Sequence, residues 1–458
     1  MMTRSLRWRI ALLINAAIAM LWRIARLINA AIAMRWRIAL LISAAIAISY
    51  LDRQTLPVAT DAIQRDIPIN NIQFSQLQVA FLLAYAVMYA GGGKLIDILG
   101  TRRGFLWIML FWSLACASHG FATGFGMLAV SRFLLGVGEG GGFPAATKAV
   151  SEWFPARERS TAMGMINAGT AVGAVIAPPA IAATVQYLGW RWVFFLCGAV
   201  GLLWSLWWLH DYFTPGRHPK LTKEEKDEIE EVFAQSSQQN SGESWFKLFA
   251  FPQVCGLVLG KFLSDAAWYF YLFWLPKYLY DARGFDTKQV GYYAWIPYAA
   301  AGLGSLLGGW FSSELLRRGN SLNYSRKIAL GASAAVMPLI VFVTQVPVEW
   351  AIVLFSVAFF GQQSWSTLVM ILPADLFPRR VVASVAGLVG FGGAMGGVVF
   401  NLVVGRMLDS GYGYRPVFAI VSTLHVLAFI LILLTIREVR PLEFKGAVHV
   451  AMSDDLKR

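Results

Sequence analysis

Residues 93–103 read GKLIDILGTRR. This short stretch sets Gly93 and Gly100 around a carboxylate, Asp97, and closes on two guanidinium groups, Arg102 and Arg103. Glycine lets helices approach closely, and an acid facing arginines at helix ends makes a charge network that can break and re-form. The flanking runs, near 75–96 and 104–123, are almost wholly apolar. Each is long enough, at about 1.5 Å per residue, to cross roughly 30 Å of hydrocarbon. The stretch therefore reads as a polar hairpin between two membrane spans, and Gly93, Asp97, Gly100, Arg102 and Arg103 are expected to act in gating.

Further runs of the same kind follow in both directions. Spans are expected near 36–59, 75–96, 104–123, 125–148, 160–184 and 190–211, then near 253–278, 287–312, 326–345, 348–370, 381–405 and 414–436. With 57% hydrophobic and 14% charged residues in 458, a water-soluble protein is excluded. The predicted fold class is an all-α membrane protein of about twelve helices in two groups of six. The expected partners begin with the lipid bilayer.

A net charge of +13 raises nucleic acid as a partner. Many of the basic residues, however, lie in short loops after even-numbered spans: Lys94, Arg102, Arg103, Arg157 and Arg159 in the first group, and Arg317, Arg318, Arg326, Lys327, Arg379 and Arg380 in the second. The loop around Gly124 has none. The positive-inside rule accounts for this pattern, so no nucleic acid is expected and both termini are placed in the cytoplasm.

Between the two groups lies the longest polar stretch, with KLTKEEKDEIEEVF followed by QSSQQNSGES, a charged surface helix and a flexible linker by composition. The expected organisation is a repeated segment over 1–34, a six-helix bundle over 35–212, a cytoplasmic linker over 213–250, a second bundle over 251–437 and a tail over 438–458. The repeat is unusual: RWRIALLINAAIAM, LWRIARLINAAIAM and RWRIALLISAAIAI follow one another from residue 7 to 48, and only the third copy runs on into polar SYLDRQ. A duplication, with translation starting near Met34, is the favoured reading; an amphipathic surface anchor is the alternative.

Charged groups inside a span cost at least about 2.5 kcal/mol on insertion scales, so they should face a wet cavity or each other. SYLDRQ places Tyr50 and Arg53 on one helical face, with Asp52 beside them. A planar guanidinium suits a bidentate carboxylate partner, and Asp52 can exchange a proton. The plainer alternative is an internal Asp52–Arg53 ion pair. In the fourth span, SRFLLGVGEGGGFPAATK sets Arg132, a further expected gating residue, and Glu139 two turns apart on one face. Glu139, deep in the apolar run, is the first choice for a proton carrier; the alternative is permanent pairing with Arg132 or Arg53.

NAGTAVGAVIAPP in the fifth span offers Gly169 and Gly173 for close packing and Pro178–Pro179 as an expected kink. Asn167 is a candidate substrate donor. In the second half, Trp268, Tyr271 and Trp274, then Gln362, Gln363 and Trp365, then Asn401, form an aromatic and amide set of the kind a sugar-like ligand uses. The counterpart of the opening stretch, GGWFSSELLRRG, keeps Gly308 but has Ser312 and Leu315 where the acid and second glycine stood. An altered or weaker network is expected there. Cys116, Cys197 and Cys255 lack metal-ligand spacing and read as buried small side chains. The histidines are scattered, so neither an enzyme site, nor a metal, nor a cofactor is expected.

These residues resemble the major facilitator superfamily, whose pattern G-x3-D-x2-G-x-[RK]-[RK] is met at Gly93, Asp97, Gly100, Arg102 and Arg103. RFLLGVGEGGGFPAATKAVSEWFPARERSTAMG, WYFYLFWLPKYL and QQSWSTLVMILPADLFPRR resemble the anion:cation symporter branch, and bacterial hexuronate transporters within it. The resemblance runs from about Trp36 to Arg437 and implies proton-coupled symport of a hexuronate or related sugar acid by alternating access, in the inner membrane. It implies that Tyr50, Arg53 and Tyr85 contact a small organic anion and that Asp52 and Glu139 carry protons. Another organic carboxylate as cargo, or a transporter-like sensor, is the alternative; a monomer is expected.

Overall fold

The computed structural model describes residues 34–154, 156–219, 248–377 and 379–440, with some side chains inside these ranges undescribed. The first two repeat copies, the charged linker run and the end of the tail lie outside them.

The long apolar runs fold as α1 (Met34–Asp66), α2 (Asn71–Leu99), α3 (Thr101–Ser118), α4 (Phe125–Gly140), α5 (Gly142–Trp153), α6 (Ala156–Leu188) and α7 (Trp190–Asp211) in the first half. The second half comprises α8 (Pro252–Arg283), α9 (Thr287–Tyr293), α10 (Trp295–Arg317), α11 (Leu322–Ala335), α12 (Val348–Leu376), α13 (Arg379–Asp409) and α14 (Tyr414–Thr435). Nine of the segments are continuous helices or helix pairs long and apolar enough to cross a membrane. The rest are broken or more polar, and with them each half supplies six crossings.

The breaks have local causes. α4 stops and α5 starts at Gly141, in GGGFP, where Pro144 lacks the N–H that would bond the Gly140 carbonyl. Pro297 does the same to the Tyr293 carbonyl where α9 gives way to α10. The crossing that begins with α11 ends as a 3₁₀ helix, Met337–Thr344, with Pro338 at its start.

Pro178 and Pro179, in contrast, do not interrupt α6, which continues to Leu188. Pro178 would leave the Ala174 carbonyl without its helical donor, and the Gln54 side-chain amide of α1 donates to that oxygen at 3.4 Å. The second half repeats the device. Pro276 in α8 frees the Leu272 carbonyl, and the Tyr298 hydroxyl of α10 donates to it at 3.2 Å.

Within the first half, α1 packs along α6, α2 on α4, and α3 on α7; in the second, α8 packs along α13 and α14, and α10 on α12. The α1–α6 contact is backbone-close, because a Cβ on Gly169 or Gly173 would meet the Ser43 or Ala47 carbonyl at 2.3 or 2.1 Å. The halves meet where α2 lies on α13 and where α6 lies on α9 and α10.

The second-half counterpart of the charged hairpin is altered. The missing acid is supplied from another helix: Arg326 donates to Asp375 at the end of α12 at 2.7 Å and to Ser312 at 2.9 Å. In the first half Glu152, in the matching position of SEWFP against ADLFP, accepts from Thr101 at 2.7 Å and Tyr212 at 2.9 Å.

Candidate functional site

Three glycines determine where Glu139 sits. A Cβ on Gly136 would meet the Phe81 carbonyl at 2.2 Å, on Gly138 the Trp112 side chain at 2.4 Å, and on Gly140 the Tyr85 carbonyl at 2.6 Å. α4 is thereby drawn against α2 and α3, which leaves Glu139 directed toward α1. Its Oε2 accepts from Arg53 Nε at 2.7 Å and from the Ser49 hydroxyl at 2.7 Å. Arg53 and Glu139 are each only 2% exposed.

Taking two charges out of water costs several kcal/mol per ion, so such a pair needs further compensation. Aromatic rings supply it. The guanidinium carbon of Arg53 lies 4.6 Å from the Tyr50 ring centre, 4.6 Å from Tyr85 and 5.5 Å from Phe81. Desolvated contacts of this type contribute about 2 kcal/mol each. Only Nε of Arg53 is engaged; its two terminal nitrogens donate to no group among the described residues. The Asp52–Arg53 pair considered from sequence is not formed.

Asp52 points instead into the first bundle. Its two oxygens complete no hydrogen bond and lie beside the thiols of Cys116 and Cys197 and the Trp112 indole. Arg132 is fully buried, its three guanidinium nitrogens have no hydrogen-bond partner among the described residues, and its charge is felt by both Glu139 and the buried imidazole of His119. Glu139 Oε1 is likewise unpartnered. Asp52, Arg53, Arg132 and Glu139 thus make two cations and two carboxylates in which a single ion pair is closed.

Across the interface, Lys261 and Asp265 of α8 pair at 2.9 Å, with Lys261 also donating to Ser366 at 2.7 Å. The Asp265 charge acts on the Tyr50 phenol, so the two clusters adjoin. Sequence reading passed over Ser49, Lys261, Asp265, Ser366 and His425. A lysine and an aspartate one turn apart inside the apolar seventh run, KFLSD, were the available signal.

The sequence model of the Major Facilitator Superfamily matches residues 42–401, a range that contains Asp52, Arg53, Arg132, Glu139, Lys261 and Asp265. The chain belongs to the major facilitator superfamily. It is 32% identical over 409 residues to the hexuronate transporter of Escherichia coli K12, covering 88% of this chain and 94% of that one. It is 30% identical over 404 residues to a D-galactonate transporter of Escherichia coli O6:H1, covering 86% and 93%. The solved D-xylose–proton symporter superposes with a TM-score of 0.67 at 14% identity, over 87% of this chain and 97% of that chain, which establishes a shared fold. The protein is a multi-pass membrane transporter, and its relatives carry sugar acids.

Within this superfamily fold the other expected site residues divide. Tyr50, Arg53, Tyr85 and Glu139 converge, whereas Asn167 is exposed on α6, on the side away from the glycines that pack on α1. Trp268 packs edge-on against Phe359, and Trp274 donates its indole N–H to Asn401 at 2.8 Å, so these last two satisfy each other. Gln362 lies between Asp265 and His425, Trp365 packs edge-on against His425, and Gln363 is half-buried. Gly100 has φ +75°, a conformation that favours glycine and turns the chain from α2 into α3. Arg102 is tied to its own half, donating to the Leu209 carbonyl at 2.8 Å and lying 3.9 Å over Phe213, while Arg103 is exposed. The Gly93 and Asp97 side chains lie outside the described residues. Cys116 and Cys197 are buried free thiols and Cys255 is half-buried.

Proposed function

We propose that this transporter carries a hexuronate or a related sugar acid together with protons by alternating access, across a bacterial inner membrane and as a monomer. The observation that carries the reading is Arg53: a buried guanidinium between two tyrosine rings, held through Nε by Glu139, with both terminal nitrogens free. A substrate carboxylate placed on that fork competes with Glu139 for the same cation. Once displaced, Glu139 is a buried carboxylate without its main counter-charge, and protonation removes the cost of leaving it so. Substrate and proton then arrive together and leave together, which is symport. Asp52 offers a second proton position on the next residue of α1.

The halves 35–212 and 251–437 serve as the two rocking bodies, joined by the cytoplasmic linker 213–250, with both termini on the cytoplasmic side as the basic loops require. Names of relatives that carry hexuronates and D-galactonate support a sugar acid as cargo. The test is uptake of labelled uronates, aldonates and aldarates into proteoliposomes. Concentrative uptake of at least one sugar acid, collapsing with a protonophore, is expected; uptake indifferent to the proton gradient would remove the coupling.

A further inference from the structure

The second half holds its own buried polar cluster, which the coupling chemistry of Arg53 and Glu139 leaves unused. Lys261 and Asp265 are 6% and 7% exposed. Asp265 Oδ1 accepts from Lys261 and, at 3.5 Å, from the Gln362 amide, whose oxygen in turn is close to His425 Nε2. Asp265 Oδ2 accepts no hydrogen bond among the described residues and lies against Gly393 of α13, where a Cβ would stand 2.2 Å from it. An accessible carboxylate oxygen with no partner is an open acceptor for a hydroxyl.

Its neighbours locate it relative to Arg53. The glycine face of α13 touches Tyr89 of α2 at Gly390, Lys261 and Asp265 at Gly393, and Tyr269 together with Leu82 at Gly397. Tyr89 packs on Tyr85, and Tyr85 packs on the Arg53 guanidinium. Tyr269, one turn beyond Asp265, feels the charges of both Arg53 and Asp265. The two clusters therefore adjoin across the interface between the halves.

Resting on the reading of Arg53 as the carboxylate fork, we infer that Lys261, Asp265 and Gln362 form the subsite for the hydroxyl-rich end of the substrate. A carboxylate oxygen accepts from vicinal hydroxyls, and the ammonium and amide donate to hydroxyl oxygens, which matches a polyol donor for acceptor. The pair has no net charge, and the free Asp265 oxygen repels a second carboxylate. The site thus selects a monoacid with a polyhydroxylated tail and disfavours a diacid of the same length.

The test compares binding of D-glucuronate, D-glucarate and hexanoate to the purified full-length protein, with a series of glucuronates lacking single hydroxyls at the end remote from the carboxylate. For the unaltered protein the expected order is glucuronate first, with each remote hydroxyl removed costing severalfold in affinity. In Asp265→Asn, and in Lys261→Gln/Asp265→Asn, which keeps the site neutral and its shape, glucuronate should weaken about tenfold while glucarate gains relative to it. A deoxy series bound as tightly as glucuronate, or variants that keep the original order, would overturn the second-half assignment while leaving Arg53-dependent binding intact. Absence of Arg53-dependent binding for every acid would overturn the fork reading and this subsite with it.

Discussion

At the residue scale the proposed coupling rests on the closed Arg53–Glu139 ion pair, in which each side chain has a property that a close substitute lacks. Lysine at 53 keeps the charge but loses the planar fork and its stacking between Tyr50 and Tyr85. Arg53→Lys is expected to weaken substrate binding at least tenfold, as measured by isothermal titration of the purified protein; wild-type affinity would restrict Arg53 to a structural role. Glu139→Gln keeps the shape and can still face Arg53, yet has no exchangeable proton. This variant should lose concentrative, proton-driven uptake and its pH dependence, while counterflow of labelled substrate persists. Normal accumulation by Glu139→Gln would move the coupling role to Asp52.

At the element scale the site depends on how closely helices approach, and small residues set that distance. The Phe81 carbonyl facing Gly136 is backbone and has no rotamer by which to yield. Gly136→Ala is expected to destabilise the protein by about 1–3 kcal/mol through overpacking. Thermal unfolding in detergent should register it as a lower midpoint. The same displacement moves Glu139, three residues on, out of hydrogen-bond range of Arg53, so uptake falls with stability. Carbonyls left free by proline and capped from neighbouring helices, Ala174 by Gln54 and Leu272 by Tyr298, make the same point: long helices here are completed by their neighbours.

At the scale of the whole molecule, the halves are fastened at the end where α1 leaves and α2 begins. Asp409, at the end of α13, accepts from the backbone N–H groups of Asn71 at 3.0 Å and Ile72 at 2.9 Å, and so places a carboxylate on the positive end of α2. Tyr280 donates to the Val58 carbonyl across the interface, while within the second half Tyr414 donates to Asp281, which also pairs with Lys277. A polar pocket of about 370 Å³ lies at this same end, lined by Asn70, Lys277, Asp281 and Tyr414 among others, away from Arg53. Rocking the halves to open this end must break the Asp409 contacts. Asp409→Asn removes a charge-to-helix interaction of roughly 1 kcal/mol and should shift the equilibrium severalfold toward opening at this end. Spin-label distances between the start of α2 and the end of α13 would lengthen; an unchanged distribution would count against a latch.

The sequence by itself determined the architecture, because a lipid environment forces long apolar runs and internally satisfied backbone, and those runs are visible without any neighbour. It also marked Arg53, Asp52, Arg132 and Glu139, since a charge within such a run is costly enough to stand out. Pairing was decided only by tertiary structure. Arg53 has Asp52 beside it in the chain yet bonds Glu139, because the side chains of adjacent helical residues diverge while the glycines of α4 bring Glu139 across from another helix. The same reason explains the altered network near Arg317: Asp375, which completes it around Arg326, arrives from a helix about fifty residues away in sequence. Lys261 and Asp265 were legible as charges, but their place beside the Arg53 cluster is a property of the two halves meeting. No local pattern encodes that meeting.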